Sequence, residues 1–275
     1  MLWLRFQLRD LGRLTVRLFD VGQGDAVLIT SPSGRQIIVD GGPDNTLLHK
    51  LGPSMPVWDR EIELLVVTHP HADHFVGLIE LLRRYRVAQV MLPSQDADTP
   101  EYQAFVRELR RQAVPVLAAR RPFRQQLEPG MELRLLYAPE TPQQNPNDAS
   151  LVLQLAFGDF GVLLTGDLEA EAQAQLPQPF LPSVVLKVPH HGSRDALNVA
   201  VWEMVAPQLA VISVGKNTYG HPSVRVRRAL ERLGAEVLAT QEAGDIVVVS
   251  DGRRTSVDAS KLKRHLVPPP PQTPR

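Results

Sequence analysis

Apolar positions in the first forty residues recur in short runs broken by glycine, proline and polar clusters. Residues 14–21, 26–30 and 36–40 are such runs. Gly22-Gln23-Gly24-Asp25, Pro32-Ser33-Gly34 and Gly41-Gly42-Pro43 separate or end them. This punctuation predicts strands joined by tight turns. Residues 1–10 alternate apolar and polar, which reads as a strand or a lead-in to one and not as a signal peptide with a long apolar centre. From Ile62 the period changes. Residues 62–68 predict a buried strand, and 73–85 a helix, with Phe75, Val76, Leu78, Ile79 and Leu82 at helical spacing. Further strands are predicted over 87–92, 114–118, 131–137, 151–157 and 161–165, and a helix over 100–112. The last third alternates strand (184–188, 209–214, 237–240) with helix (197–205, 224–233). It closes on a hairpin of 245–250 and 255–258 over Asp251-Gly252. Two strand-rich halves, each with its own helices, predict an α/β (α+β) protein with two sheets face to face and helices outside.

Two segments lack the apolar residues to pack. Residues 141–147 are polar and proline-rich. Residues 259–275 carry a basic cluster followed by Pro268 to Pro271, so they are expected to form a disordered tail, leaving 1–258 as a single domain. In 275 residues, 43% hydrophobic and 22% charged positions are enough for a sizeable core. No run of 18 apolar residues occurs, so no membrane-spanning helix is expected.

Charge narrows the chemistry. Lys plus Arg and Asp plus Glu are 30 each, so there is no overall basic field. A nucleic acid would have to be attracted by local basic groups or by bound metal. Cysteine is absent, which excludes disulfides and thiolate metal sites and leaves nitrogen and oxygen ligands.

The densest cluster of such ligands is Thr68-His69-Pro70-His71-Ala72-Asp73-His74, directly after an apolar run. Pro70 keeps His69 extended, and residues two apart in an extended segment face one side. His69 and His71 can therefore converge on one cation, while Asp73 and His74, where the helix begins, point to a second. Three of only eight histidines in so short a stretch is a poor match to a merely polar loop. Weaker signals follow other apolar runs: Gly166-Asp167, whose carboxylate can bridge two cations; Lys187-Val188-Pro189-His190-His191-Gly192-Ser193; and Lys216 to Ser223, containing His221. Alone, Gly-Asp is a common turn and the 216–223 segment a helix cap. Jointly, six of the eight histidines follow apolar strands, and ligands in layered α/β folds gather beyond strand ends.

These residues resemble the metallo-β-lactamase superfamily: His69-x-His71-x-Asp73-His74, then Gly166-Asp167, then a downstream histidine, with Asp40-Gly41-Gly42 like the first motif. The resemblance implies a four-layer αββα sandwich and two divalent metals. His69 and His71 would hold one metal, Asp73, His74 and His191 the other, and Asp167 would bridge. More closely, Phe19 to Ile29, Val39 to Pro43, Leu163 to Asp167, Leu186 to Ser193, and Val211 to Gly215 with Tyr219 to Pro222 resemble the C-terminal domain of ComEC competence proteins. That resemblance implies a nuclease degrading single-stranded DNA during DNA uptake, beside a membrane channel domain or partner. The superfamily's usual third histidine for the first metal is missing, and Asn147-Asp148-Ala149-Ser150 stands near its place. This favours manganese, with zinc as the alternative.

Beyond the ligands, Asp73, His190 and His221 are candidate catalytic residues. Lys187, Ser193, Lys216, Asn147 and Ser150 are candidate phosphate contacts. Asp20, Asp25 and Asp40 would orient the imidazoles. The competing readings are hydrolysis of another ester (a small phosphodiester, a choline-phosphate ester or a thioester) and a non-catalytic, metal-stabilised docking module.

Overall fold

A computed structural model describes residues 12–177 and 183–262. The chain enters through an antiparallel meander of β1 (Leu14–Leu18), β2 (Val27–Thr30) and β3 (Gln36–Val39). After α1 (Thr46–Ser54) and the two-residue β4 (Glu61–Ile62), β5 (Leu64–Val66) joins β3 in parallel. Helix α2 (Ala72–Arg84), β6 (Arg86–Val87), β7 (Val90–Leu92), α3 (Pro100–Arg111) and β8 (Val116–Ala118) follow. β7 and β8 extend the sheet in parallel, and β4 and β6 pair with each other.

The second sheet begins as a meander of β9 (Phe123–Glu128), β10 (Met131–Tyr137), β11 (Val152–Phe157) and β12 (Phe160–Leu164). It continues in parallel through β13 (Val185–Lys187), β14 (Leu209–Ile212) and β15 (Glu236–Ala239). The connections carry α4 (Ala170–Gln173), α5 (Val199–Val205) and α6 (Val224–Arg232). After α7 (Thr240–Ala243), β16 (Ile246–Ser250) returns to pair with β1, and β17 (Thr255–Ala259) closes the edge. The sheet orders are β17-β16-β1-β2-β3-β5-β7-β8 and β15-β14-β13-β12-β11-β10-β9.

Strand alternation sorts the core into three apolar layers. In β3, Ile37 and Val39 join the cluster between the sheets, where Leu133, Leu153, Val162 and Val211 of the second sheet also lie. Ile38, between them, joins the cluster formed with Leu47, Phe75, Leu78 and Phe105 of the helices. On the far side of the second sheet, Leu163 and Leu186 pack with Trp202, Val226 and Leu230. Helix, sheet, sheet, helix is the predicted four-layer αββα order.

Several boundaries differ from the sequence expectation. α1 was unpredicted: it contains Gly52 and Pro53 and buries only Leu47 and Leu51, too little for a helical period. β9 was missed because Phe-Arg-Gln-Gln-Leu-Glu is a largely exposed strand at the sheet edge. Residues 194–196 form a 3-10 turn, so α5 starts at Val199 and not at Leu197. Residues 259–262, expected to belong to a disordered tail, are placed: Ala259 completes β17, and Lys261 pairs with Asp20. Residues 263–275, and the expected strand over 1–10, lie outside the described residues. Among the described residues no helix is long and apolar enough to cross a membrane.

Candidate metal centre

The parallel strands of both sheets end at one edge, and the candidate ligands follow those ends. Asp40 follows β3, Thr68 and His69 follow β5, Asp167 follows β12 and His191 follows β13. Helix α2 is drawn down onto this edge by glycines. A Cβ at Gly77 would collide with the carbonyls of Gly41 and Asp44, and one at Gly24 with the carbonyl of Asp73. Hydrogen bonds from Gly41 N to His74 O (2.5 Å), Gly77 N to Gly42 O (3.0 Å) and Asp25 N to Asp73 O (3.2 Å) pin the first turns of α2 to the two glycine loops. That docking sets the position of Asp73 and His74.

Three imidazoles are then oriented alike. Asp40 accepts from Thr68 N (2.8 Å), from the Thr68 hydroxyl (2.7 Å) and from His74 Nδ1 (2.9 Å). With its proton given to Asp40, the Thr68 hydroxyl accepts from His69 Nδ1 (3.2 Å). His191 Nδ1 donates to the carbonyl of Ser213 (2.8 Å). Each ring thus spends its Nδ1 proton outward, and in its neutral form turns the Nε2 lone pair inward, as metal-binding histidines require.

The inward atoms converge. Asp167 Oδ2 lies 3.3 Å from His191 Nε2, 3.4 Å from His74 Nε2 and 3.9 Å from His69 Nε2. Asp73 Oδ2 is 3.1 Å from His191 Nε2. Among the described residues, His69–His74–Asp167 and Asp73–His74–His191 each offer donor atoms within 4.8 Å of one another. His69 Nε2 and His74 Nε2 are buried without a hydrogen-bond partner. Such orphaned atoms cost about 1–3 kcal/mol each unless something outside the protein answers them. A divalent cation answers them: the donor set is nitrogen and carboxylate oxygen, the positions are preformed, and the residues fit. His71 is half-buried and lies edge-on to His69 with ring centroids 4.6 Å apart, but it stands outside these tightest groups.

Electrostatics describe the same site filled with protons. Burial alone would depress His74, but the Asp167 and Asp40 carboxylates outweigh it and hold the ring well above its ordinary pKa. His191, against the same desolvation, is pushed up to about 10 by Asp167 and by hydrogen bonds to Asp167 and Asp73. His69 is held well below its usual value by burial and by the neighbouring His74 charge. Burial would raise Asp167, yet His191, His74 and Lys187 keep it well below the carboxylate range. Burial raises Asp40, opposed by His74.

Other expected site residues take different places. Lys187, expected to contact phosphate, is 2% exposed: its ammonium contacts Asp25, donates to Gly166 O at 2.9 Å and lies 3.4 Å from Asp167 Oδ1. It is an internal counter-cation and cannot reach a substrate from there. Asp25 joins the Asp167–His191 donor group as well as Lys187. Ser150 accepts from Asp167 N (3.0 Å), orienting that residue, and Ser193 accepts from Asp195 N (3.3 Å), capping its turn. Asp20 pairs with Lys261 at 2.7 Å and takes no part in holding the imidazoles. Lys216 is exposed. Asn147 donates to Glu169 (3.0 Å), whose other neighbour is His190 (3.6 Å), and His190 and His221 stand with ring centroids 5.4 Å apart. Burial and the nearby histidines lower His221, so its ring is neutral at pH 7. Sequence reasoning missed Glu169, whose only signal was its place two residues after Asp167, and the Thr68 hydroxyl, which lay inside the histidine cluster.

Consecutive left-handed backbone at His190 (φ 49°), His191 (φ 51°) and Gly192 (φ 77°) bends the chain so that His191 points inward and His190 sideways. Two non-glycine residues in that region each cost on the order of 1–2 kcal/mol, a concentration of strain that marks functional turns.

This fold and donor set define a metallo-hydrolase scaffold. Residues 19–216 match the family model of the metallo-beta-lactamase superfamily, and the chain belongs to that superfamily. The fold and donors imply binding of divalent metal. The chain is 29% identical over 252 residues to "ComE operon protein 3" of Bacillus subtilis, covering 84% of this chain and 32% of that protein. It is 27% identical over 234 residues to "Competence protein ComA" of Neisseria gonorrhoeae, covering 83% and 31% respectively. The chain therefore spans about a third of the curated relatives it matches. CmlA, a diiron beta-hydroxylase from Streptomyces venezuelae, superposes with a TM-score of 0.54 at 14% identity, covering 84% of this chain and 53% of CmlA, which is a likeness of fold alone.

Proposed function

We propose that this chain is a binuclear metal-dependent phosphodiesterase that cleaves single-stranded DNA in a DNA-uptake setting, with manganese or zinc as its metal. The observation that carries the reading is the inward convergence of His69, His74 and His191 Nε2 on Asp167, two of them buried and unpartnered. Similarity to ComE operon protein 3 and to a competence protein supports the DNA-uptake setting. The single-stranded DNA substrate and a membrane channel domain or partner belong to the proposal itself.

His69, His71 and His74, with Asp73, Asp167 and His191, would hold the two cations. The chemistry two divalent cations supply in such a site is Lewis acidity toward phosphoryl oxygen and acidification of water toward neutral pH. The residues of this chain do the rest. Asp40, Thr68 and the Ser213 carbonyl keep the protons of three rings on Nδ1. Ser150 accepts from the Asp167 backbone N–H, and Lys187 lies against its carboxylate. Neutral His221 and its neighbour His190 stand beside the centre, where an imidazole N–H can donate to charge building on oxygen or to a leaving alkoxide. Neither His190 Nδ1, 3.6 Å from Glu169, nor His221 Nδ1 has a hydrogen-bond partner among the described residues.

Purified protein with manganese should shorten end-labelled single-stranded DNA, and Asp73→Ala should abolish this while leaving the fold intact by circular dichroism. DNA left whole by every metal in a panel, with turnover of a small phosphodiester instead, would replace this reading by the small-ester one. The zero formal charge of the chain favours that second reading.

A further inference from the structure

One exposed feature beside the centre has no structural use. Tyr219 is 74% exposed on the loop between β14 and α6, and its one ring contact among the described residues is with His221, at 5.8 Å between centroids and 36° between planes. From His221 the row continues inward to His190 (5.4 Å) and His191 (6.2 Å), whose ring faces Asp167. Four rings thus lead from the surface to the candidate metal centre.

The backbone of the loop that carries the outer ring is braced by hydrogen bonds. Asn217 donates to Gly215 O (2.9 Å) and His221 O (2.8 Å), and accepts from Tyr219 N and His221 N (both 3.1 Å). Ser223 N donates to Gly192 O (2.9 Å), tying the loop to the His190–His191 turn. Lys216 stands exposed in the same loop. A solvent-facing aromatic ring at the outer end of this row, on a braced loop that also carries an exposed lysine, has the composition of a base-stacking platform: the ring takes a base and the cation a backbone phosphate.

We propose that Tyr219, backed by His221, is the platform on which a nucleobase of the strand entering the centre stacks. This rests on the nucleic-acid reading of the centre. Every base offers a π-face, so the platform confers preference for nucleic acid over simple phosphodiesters without sequence specificity. It also answers the scarcity of aromatic residues in the chain, since one ring on the approach to the centre suffices to engage the strand.

The test compares an oligodeoxythymidylate with an abasic strand of the same length. Tyr219→Ala should raise KM for the thymidylate about tenfold with kcat within twofold, leave the abasic strand unchanged, and be rescued by Tyr219→Phe. Separately, Tyr219→Trp should add to the fluorescence of the three native tryptophans a component that thymidylate quenches before turnover in a stopped-flow mix and the abasic strand does not, while wild type shows no such quenching. An equal loss on both strands, or an unchanged KM with no quenching, overturns the platform. Should wild type cleave neither strand, the nuclease reading fails by itself, and the quenching experiment still decides whether Tyr219 binds a base.

Discussion

Lys187→Met removes a buried charge while nearly preserving shape. In the folded protein the Lys187 ammonium is 2% exposed and lies against Asp25 and Asp167, both 2% exposed. Burial would lower its pKa, but Asp25 and Asp167 raise it above the ordinary lysine value, so it is charged. Taking away one member of such a group leaves uncompensated carboxylates in a dry site, at a cost of about 3–5 kcal/mol. For a chain of this size that is a fall in Tm of roughly 10 °C. Thermal unfolding in EDTA should show it. Saturating divalent metal, by supplying positive charge next to Asp167, should shrink the difference to less than half. Asp25→Asn combined with Lys187→Met should recover part of the loss, because the orphaned charge goes too. Equal Tm values for wild type and Lys187→Met in EDTA would refute the reasoning, since Lys187 would then not be neutralising Asp25 and Asp167.

The metal-free protein should lose stability as pH rises from about 6.5 toward 10. His74 and His191 have folded pKa values above their unfolded ones, so the stability they confer is complete below about 6.5 and is lost as pH climbs through the folded values. On the acid side the depressed Asp73 and Asp167 give stability that is present above about pH 4 and lost as pH falls. Urea titrations between pH 2 and 10 in EDTA check both limbs, and a stability still rising from pH 7 to 9.5, or unchanged from pH 4 to 2, would contradict them. Asp40→Ala should weaken metal affinity about 10- to 100-fold, because it frees His74 Nδ1 and, through Thr68, His69 Nδ1. Isothermal titration with manganese or zinc measures this, and Asp20→Ala, which touches none of those rings, should bind as wild type does.

The layered fold was legible because most of its elements repeat at short range. β3 alternates Ile37, Ile38 and Val39 between two cores, and α2 keeps its apolar residues at helical spacing, so local patterning carried the information. Elements whose burial is slight escaped. β9 shows its polar side chains to solvent at the sheet edge, and α1 offers only Leu47 and Leu51 to the interior. Likewise, the histidine cluster announced itself because Thr68 to His74 is one continuous stretch. Asp40 could be suspected from its place beside two glycines, although its three hydrogen bonds come from Thr68 and His74, 28 and 34 residues away.

Lys187 could not be read in this way. Its sequence neighbours in Val-Val-Leu-Lys-Val make it look like the polar flank of a strand or a hand for phosphate. Its actual partners, Asp25 and Asp167, lie in distant segments that only the two-sheet fold brings together. The physical reason for a cation there follows from the carboxylates. Asp25, Asp40 and Asp167 are all nearly inaccessible to water, and Asp73 adjoins them. Like charges so close would drive the strand ends apart, or force protons onto the carboxylates, whenever metal is absent. A lysine fixed on β13 and protons on His74 and His191 supply the opposing charge, and the protons are the part that metal displaces. The centre can thus be assembled first and loaded afterwards, with Lys187 as the one cation that never leaves.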